Sequence, residues 1–395
     1  MLKSKNSILN VFVLLIVLLV ISLIIFPKES MEAAKNGINL WLFIITPSLL
    51  PFFIGSELLI QMGIVHFLGT FLEPIMRKVF RVPGSGSFAM AIGYTSGYPV
   101  GAQIISRLWE EKLCTTTEAE RLMAFCNNSG PLFMLGAVAI GMFNNNIIGY
   151  IIIASNYLSA ITTGILFRFY KKDIKTNTYK IDKPLKSAFK KMYDVRNENK
   201  KSFSSILSDA IIKSMNTIIM IGGYIVFFSV VIEFLNLYGV LIFLSHIISP
   251  FFSILNFDNR IVPSFLSGML EITVGSNLIS QTQVPINQKI IIVSSIIAWG
   301  GISIHGQVMS VIAKTKIAYF PYFMAKLIQF IFAGIYSYLI LLFVKIPEYQ
   351  TLNVFNDFSY KNTLNIFEIS LFLFLITSLI LLLIGVLTKI YKSRA

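Results

Sequence analysis

The chain has 395 residues, of which 55% are apolar, 13% aromatic and only 13% charged. A soluble protein carries about 25% charged residues, so a water-facing surface of this size cannot be covered, and a soluble enzyme is excluded. The net charge of +14 would indicate nucleic acid in a soluble protein; here the basic residues lie between apolar runs, where they set membrane orientation.

The first predicted element is a span over 8–26, nineteen residues without a charge, preceded by Lys3 and Lys5. Its apolar core is long and no small-x-small cleavage site follows closely, so it reads as an uncleaved anchor rather than a signal peptide. Further spans of about 20 residues are expected near 38–62, 121–143, 147–168, 212–236, 288–313, 318–343 and 365–388, giving eight crossings. Two more apolar segments, 85–108 and 260–282, are interrupted at their centres by Gly, Ser, Thr, Pro or Glu. Broken backbone at membrane depth is tolerated only against protein or a wet cavity, so both are expected to be re-entrant helical hairpins. The fold class expected is an all-α polytopic membrane protein with broken helices at the midplane.

Basic residues order these elements. Lys3 and Lys5, then Arg77, Lys78 and Arg81, then the long basic loop 169–211, then Lys314 and Lys316, and finally Lys389, Lys392 and Arg394 fall on one side. The positive-inside rule makes that side, with both termini, cytoplasmic. The basic loop reads as a solvated tether or as a segment resting on anionic lipid.

The two halves match at a nearly fixed offset. At 176 residues, Glu57 pairs with Glu233, Gly63 with Gly239 and Pro74 with Pro250; at 174, Val100-Gly101 pairs with Val274-Gly275, Ser129 with Ser303 and Ala139 with Ala313. Each repeat holds one span, one hairpin and two spans, and the odd number of crossings turns the second copy upside down. The expected units are therefore an anchor (1–36), a first repeat (37–168), the basic loop (169–211), a second, inverted-topology repeat (212–343) and a C-terminal span with a basic tail (344–395). Such repeats place solute sites where their broken helices meet.

Four interrupted segments supply candidate ligands: Thr95, Ser96, Gly97 and Gln103 from the first hairpin; Asn127, Asn128 and Ser129 before Pro131; Asn277 from the second hairpin; and Ser303, His305 and Gln307 beyond Trp299-Gly300-Gly301. Half-helix N-termini carry partial positive charge, and two facing each other make an anion site without a lysine. His305 has the chemistry to donate to a carboxylate or take up a proton. Glu271 is the ion-coupling candidate, because a carboxylate at the bilayer centre costs about 2.5–3.5 kcal/mol or more; a place at the hairpin mouth is the alternative. Glu57 and Glu233 are read as braces or as coupling groups, and His66 and His246 as interfacial. The three histidines stand apart and no CxxC or HExxH pattern occurs, so neither metal nor cofactor is expected. Cys114 and Cys126 carry no further message. No nucleophile–base pair is visible, so enzymatic activity is not expected.

The strings PSLLPFFI (47–54), GYTSGYPVGAQ (93–103), RLMAFCNNSGPLFMLGAVAIGMF (121–143), SGMLEITVGS (267–276) and GGISIHGQVMS (300–310) resemble the YlbJ/SpoVV family of sporulation integral membrane proteins. The likeness runs over about 38–343. That family carries the nucleoside-recognition, or Gate, domain, which is itself similar to a half of the concentrative nucleoside transporters. The resemblance implies movement of dipicolinic acid across the outer forespore membrane, with Tyr94, Tyr98, Phe125 and Trp299 as aromatic walls. The implied partners are a small anionic solute, membrane lipid and a coupling H⁺ or Na⁺, without nucleic acid; self-association stays open. The alternatives are a nucleoside or other cation-coupled transporter of the Gate class, or a non-transporting scaffold.

Overall fold

The computed structural model describes residues 2–63, 67, 75–171, 189–190, 192–194, 202–344 and 346. The expected span 365–388, His66 and most of the basic loop lie outside the described residues. The described secondary structure is helical throughout.

Helix α1 is Leu2–Ile25. Pro27, whose missing N–H is tolerated in a first turn, opens α2 (Pro27–Asn39), which runs through a π-helical turn (Leu40–Ile45) into α3 (Thr46–Gln61). After a second π turn (Met76–Phe80) come α4 (Ser85–Ser96) and α5 (Val100–Glu110). Then follow α6 (Thr116–Cys126), a π-helical stretch (Phe133–Met142) and α7 (Asn146–Phe167). The second half holds α8 (Phe203–Leu237), α9 (Val240–Ile254), α10 (Val262–Leu270), α11 (Ile272–Gln281), α12 (Ile286–Trp299), α13 (Gly301–Ile312) and α14 (Tyr319–Leu341).

Five stretches among the described residues are long and apolar enough to cross a membrane: Pro27–Leu59, Asn146–Phe167, Phe203–Leu237, Ile286–Ile312 and Tyr319–Leu341. The segment 121–143, expected as one interrupted span, is instead two shorter pieces separated by the unwound residues 127–130. Residues 203–211, expected in the loop, are helical: Ser202 caps the Ser205 N–H at 3.3 Å, and Lys213 pairs with Glu57 of α3 at 2.5 Å. Helix α9 was not expected. Its 15 residues fall below a crossing length, yet Phe243, Phe251 and Ile254 all project outward.

The two interrupted segments are helix–break–helix units whose arms pack on each other. In the first, Gly93 and Gly101, four residues before and after Gly97, both lie against the Cys126 carbonyl, so a Cβ at either would strike it. In the second, a Cβ on Gly275 would run into the Gly268 backbone, and Ser264 Oγ and Thr282 Oγ1 stand 3.3 Å apart across the arms. Residues on either side of each break thus sit side by side, which makes both units hairpins.

Gly97 and Glu271, the two hairpin breaks, are 174 residues apart, the spacing that also separates Thr162 from Tyr336. Those last two residues are themselves bonded, hydroxyl to hydroxyl at 2.7 Å, where α7 packs on α14. The stripes that let these helices approach recur in the same register: Ser155, Ser159 and Thr163 on α7, Gln329, Ala333 and Ser337 on α14, all fully buried. Apart from Gln329, these are small or hydroxyl side chains at four-residue intervals, which permit close packing where lipid supplies no hydrophobic drive. The halves also interlock, since α5 packs on α13 and α11 packs on the π-helical stretch.

At the far end of α6 a capping box (Thr115, Glu118) starts the helix. Buried Arg121 donates to the carbonyls of Arg81, Tyr170 and Lys171, and Glu120 accepts from Lys171 at 2.9 Å and from the Ala318 N–H at 3.3 Å. These bonds fix the ends of α7 and the α13–α14 link, and so the register of both halves.

Candidate functional site

Four breaks meet inside the molecule. The first is at Gly97, whose φ of +80° a side chain would resist. The second is the unwound stretch 127–130, ahead of Pro131. The third is Glu271, in extended conformation between α10 and α11. The fourth is the pair Gly300 and Gly301, at φ of +90° and +72°. A cleft of about 620 Å³, its open mouth included, is lined by the first three of these breaks and by α13 beyond the fourth. Its walls come from α3 (Leu49, Phe53), the first hairpin (Thr95 to Tyr98), the second break (Ser129, Gly130), α8 (Ile221, Tyr224), the second hairpin (Glu271 to Thr273) and α13 (Ile304, Gln307).

Of the residues singled out in the sequence, Thr95, Ser96, Gly97, Ser129, Glu271 and Gln307 line this cleft. Thr95 Oγ1 donates to the Ala91 carbonyl at 2.7 Å, leaving its oxygen lone pairs as acceptors. The Gln307 side-chain oxygen is buried without a hydrogen-bond partner. A buried amide atom left unpaired is costly, so a ligand polar group opposite it would be recognised.

The other candidates point elsewhere. Asn127 donates to the Tyr322 hydroxyl at 3.1 Å and accepts from the Ala102 N–H at 3.3 Å, serving the start of α5. Asn128 donates to the Phe125 carbonyl and turns its oxygen toward α14. His305 uses both nitrogens. The Trp299 carbonyl, 3.2 Å from Nε2, can only accept, so Nε2 carries the hydrogen and Nδ1 accepts from the Tyr319 hydroxyl at 2.7 Å. His305 therefore braces the break at Gly300. Ser303 is buried with an unpartnered hydroxyl, Gln103 is exposed on the outer face of α5, and Asn277 is half-buried on α11; none lines the cleft. Glu57 is engaged by Lys213, while Glu233 is half-buried on α8 and His246 exposed on α9.

Among the expected aromatic walls only Tyr98 lines the cleft. Tyr94 packs on Tyr157, Phe125 stacks on Phe80 with centroids 4.4 Å apart, and Trp299 packs on His305 at 4.1 Å. The aromatic faces of the cleft belong to Phe53, Tyr98, Phe133 and Tyr224.

Glu271 is 4% exposed, and its carboxylate accepts from the Val274 N–H at 2.7 Å, capping α11. The positive end of α11, expected to be free for a solute anion, is thus already occupied by the protein's own carboxylate. Helix α13 begins with no side-chain cap.

Behind Tyr98 and Asn128 lies a group that the sequence reading passed over. Lys326, fully buried on α14, donates from Nζ to the Tyr98 hydroxyl at 2.9 Å, to Asn128 Oδ1 at 3.3 Å and to Gln329 Oε1 at 2.7 Å. Gln329 in turn donates to Asn128 Oδ1 at 2.7 Å. The Tyr98 and Tyr322 rings face the ammonium at 4.9 and 5.9 Å, within cation–π range. The signal was available: a lysine and a glutamine three residues apart inside the expected span 318–343 are costly in lipid and by default functional.

The family model described as nucleoside recognition, Gate, matches residues 42–170 and 218–318. The sporulation integral membrane protein YlbJ of Bacillus subtilis (strain 168) is 40% identical over 318 residues, covering 80% of this chain and 78% of that protein. An uncharacterized protein of Alkalihalophilus pseudofirmus is 27% identical over 156 residues, 39% of this chain and 32% of its own length. The solved structure of a CNTnw double variant in an outward-facing state matches with a TM-score of 0.50 at 14% identity, over 82% of this chain and 86% of that one; at that identity the likeness is one of fold. The chain is an integral membrane protein of the Gate family and belongs with the YlbJ sporulation membrane proteins.

Proposed function

We propose that this chain is a carrier, not an enzyme, that moves a small organic anion through the cleft between its two hairpins. Dipicolinate, crossing the outer forespore membrane during sporulation, is the first choice of solute. The observation that carries this reading is the meeting of three helix breaks at one cleft, with the fourth lying against Glu271 and a buried ammonium immediately behind the cleft wall. A planar aromatic dicarboxylate matches what the cleft offers. The rings of Phe53, Tyr98, Phe133 and Tyr224 give flat apolar faces, and Ser96, Ser129 and Gln307 give neutral hydrogen bonds. Lys326 biases the potential toward negative charge.

In this reading the second repeat is inverted relative to the first, and both hairpins are re-entrant, entering from opposite faces. Alternating access then follows as one repeat rocks against the other around a fixed site. The interlocking of α5 with α13 and of α11 with the π-helical stretch supports such a two-part machine. The termini and the basic loop are cytoplasmic, and membrane lipid surrounds the apolar outer faces.

One observation favours a second reading. Glu271 stands in the cleft wall, where a carboxylate repels anions and suits the hydroxyl groups of a nucleoside, in keeping with the name of the Gate family. Flux of labelled dipicolinate and labelled uridine into proteoliposomes separates the two. Dipicolinate uptake with no uridine uptake supports the anion carrier; the converse establishes the nucleoside reading. Flux of neither returns the chain to a scaffold.

A further inference from the structure

We propose that Lys326 is the coupling-ion site of this carrier: a proton bound at its Nζ fastens the tip of the first hairpin to α14, and its departure frees that tip to move. The proposal rests on the carrier reading of the cleft, but one arm of its test does not.

The ammonium has three N–H bonds and meets three acceptors, each from a different element. Tyr98 belongs to the hairpin tip, Asn128 to the unwound break, and Gln329 to α14 itself. Among the described residues no carboxylate forms an ion pair with Lys326. Its charge is held by neutral oxygens and by two aromatic faces. A structural lysine at such depth would be expected to carry a permanent counter-ion; a lysine that gains and loses its charge has no use for one.

The repeat register makes the same distinction. At the 174-residue spacing seen for Thr162 and Tyr336, the counterpart of Lys326 is Ile152, fully buried on α7, and the counterpart of Asn128 is Ile302. At the Lys326 position the packing is therefore satisfied by a buried isoleucine, while Ile302 stands half exposed. The charged cluster is an addition to one half only, placed where the hairpin tip meets the broken helix.

Loss of the proton leaves a neutral amine with two N–H bonds and a lone pair. Three acceptors can no longer all be served, and the remaining bonds lose their charge assistance. The proton passes to water in the cleft, on the far side of Tyr98. The titratable groups nearest the ammonium are the Tyr98 and Tyr322 hydroxyls and, 5.2 Å from the Tyr322 ring, His305, whose nitrogens are both engaged. Cys126 on α6 is fully buried against the first hairpin. From α12, Lys289 is tied to the Ser280 carbonyl at 2.8 Å. From α7, Tyr157 is tied to the Tyr94 carbonyl, also at 2.8 Å. Lys326 is thus the group whose charge fixes the tip.

Two measurements test this. Hydrogen–deuterium exchange of the peptide spanning 94–104, corrected for intrinsic rate, is followed from about pH 6 to about pH 10 in the wild type and in Lys326→Met. The wild type should lose protection as pH rises, while Lys326→Met should be equally unprotected throughout. The same pH profile in both proteins, or a flat wild-type profile, overturns the proposal. Should Lys326→Met fail to run as a folded species on size exclusion, Lys326→Arg replaces it, and constant high protection is expected. In sodium-free proteoliposomes, a proton gradient should drive labelled dipicolinate uptake by the wild type, and Lys326→Met should lose about tenfold of that drive. Undiminished drive in the variant overturns the coupling role. Absence of dipicolinate flux in both proteins counts against the carrier reading, with the exchange result still deciding whether Lys326 holds the tip.

Discussion

Lys326 Nζ stands 2.9 Å from the Tyr98 hydroxyl across 228 residues of sequence, joining α14 to the tip of the first hairpin. That bond, with those to Asn128 and Gln329, puts the only charge of the cluster behind the cleft rather than in it. The first prediction concerns its balance. Asn128→Leu removes an acceptor shared by Lys326 and Gln329, and stranding a buried charge costs about 3–5 kcal/mol. Lys326→Met alone removes charge and need together and should cost far less. The double variant Asn128→Leu/Lys326→Met should recover most of the loss, with a coupling energy of about 1–3 kcal/mol in detergent unfolding. Simple additivity would show that the two side chains do not depend on each other.

The second prediction contrasts two glycines. Gly275→Ala forces a methyl into the Gly268 backbone, and the arms must part; overpacking of this kind costs about 1–3 kcal/mol or more. Gly306→Ala, in the interior of α13 with nothing within 4 Å, should stabilise by about 0.5–1 kcal/mol, the usual gain over glycine in a helix. Thermal unfolding of the purified variants checks both signs.

A third prediction separates the two roles of Glu271. As the cap of α11, it should be worth about 0.5–2 kcal/mol, lost in Glu271→Ala. Glu271→Gln keeps an acceptor and should retain most of that stability. Equal stability of Glu271→Ala and the wild type would mean that the carboxylate stands in the cleft wall for the solute alone.

Cys114, in the link between α5 and α6, supplies a fourth. Burial, reinforced by the nearby Glu118 carboxylate, pushes its thiol up to about 12. The reactive thiolate is then about one part in 10,000 at pH 8. Folded protein should resist maleimide at this site, and detergent-denatured protein should react fully. Rapid labelling of the folded state would place Cys114 in contact with solvent.

What could be read from the sequence was whatever is encoded locally. Gly97, Asn127 to Gly130, Glu271 and Gly300 are the actual breaks, each marked by glycine, proline or a polar run at the centre of an apolar segment. What could not be read was direction. Asn127, Asn128 and His305 sit at the breaks, as their positions implied, yet face Tyr322, Lys326 and Trp299 rather than the cleft. Their partners come from elsewhere in the chain, and Lys326 itself hides in a helix whose remaining residues read as an ordinary span. The aromatic walls shifted for the same reason: Phe53 and Tyr224 belong to α3 and α8, which stay helical through Pro51 and through Gly222-Gly223.

Protection of the cleft by its solute tests the central claim most directly. In a background without Cys114 and Cys126, Ser129→Cys at the cleft wall and Gln103→Cys on the outer face of α5 are modified by a small charged thiol reagent, with and without dipicolinate. Transport through the cleft predicts that dipicolinate at about ten times its dissociation constant slows modification at position 129 about tenfold and leaves position 103 unchanged. Equal rates at position 129 with and without dipicolinate would contradict it.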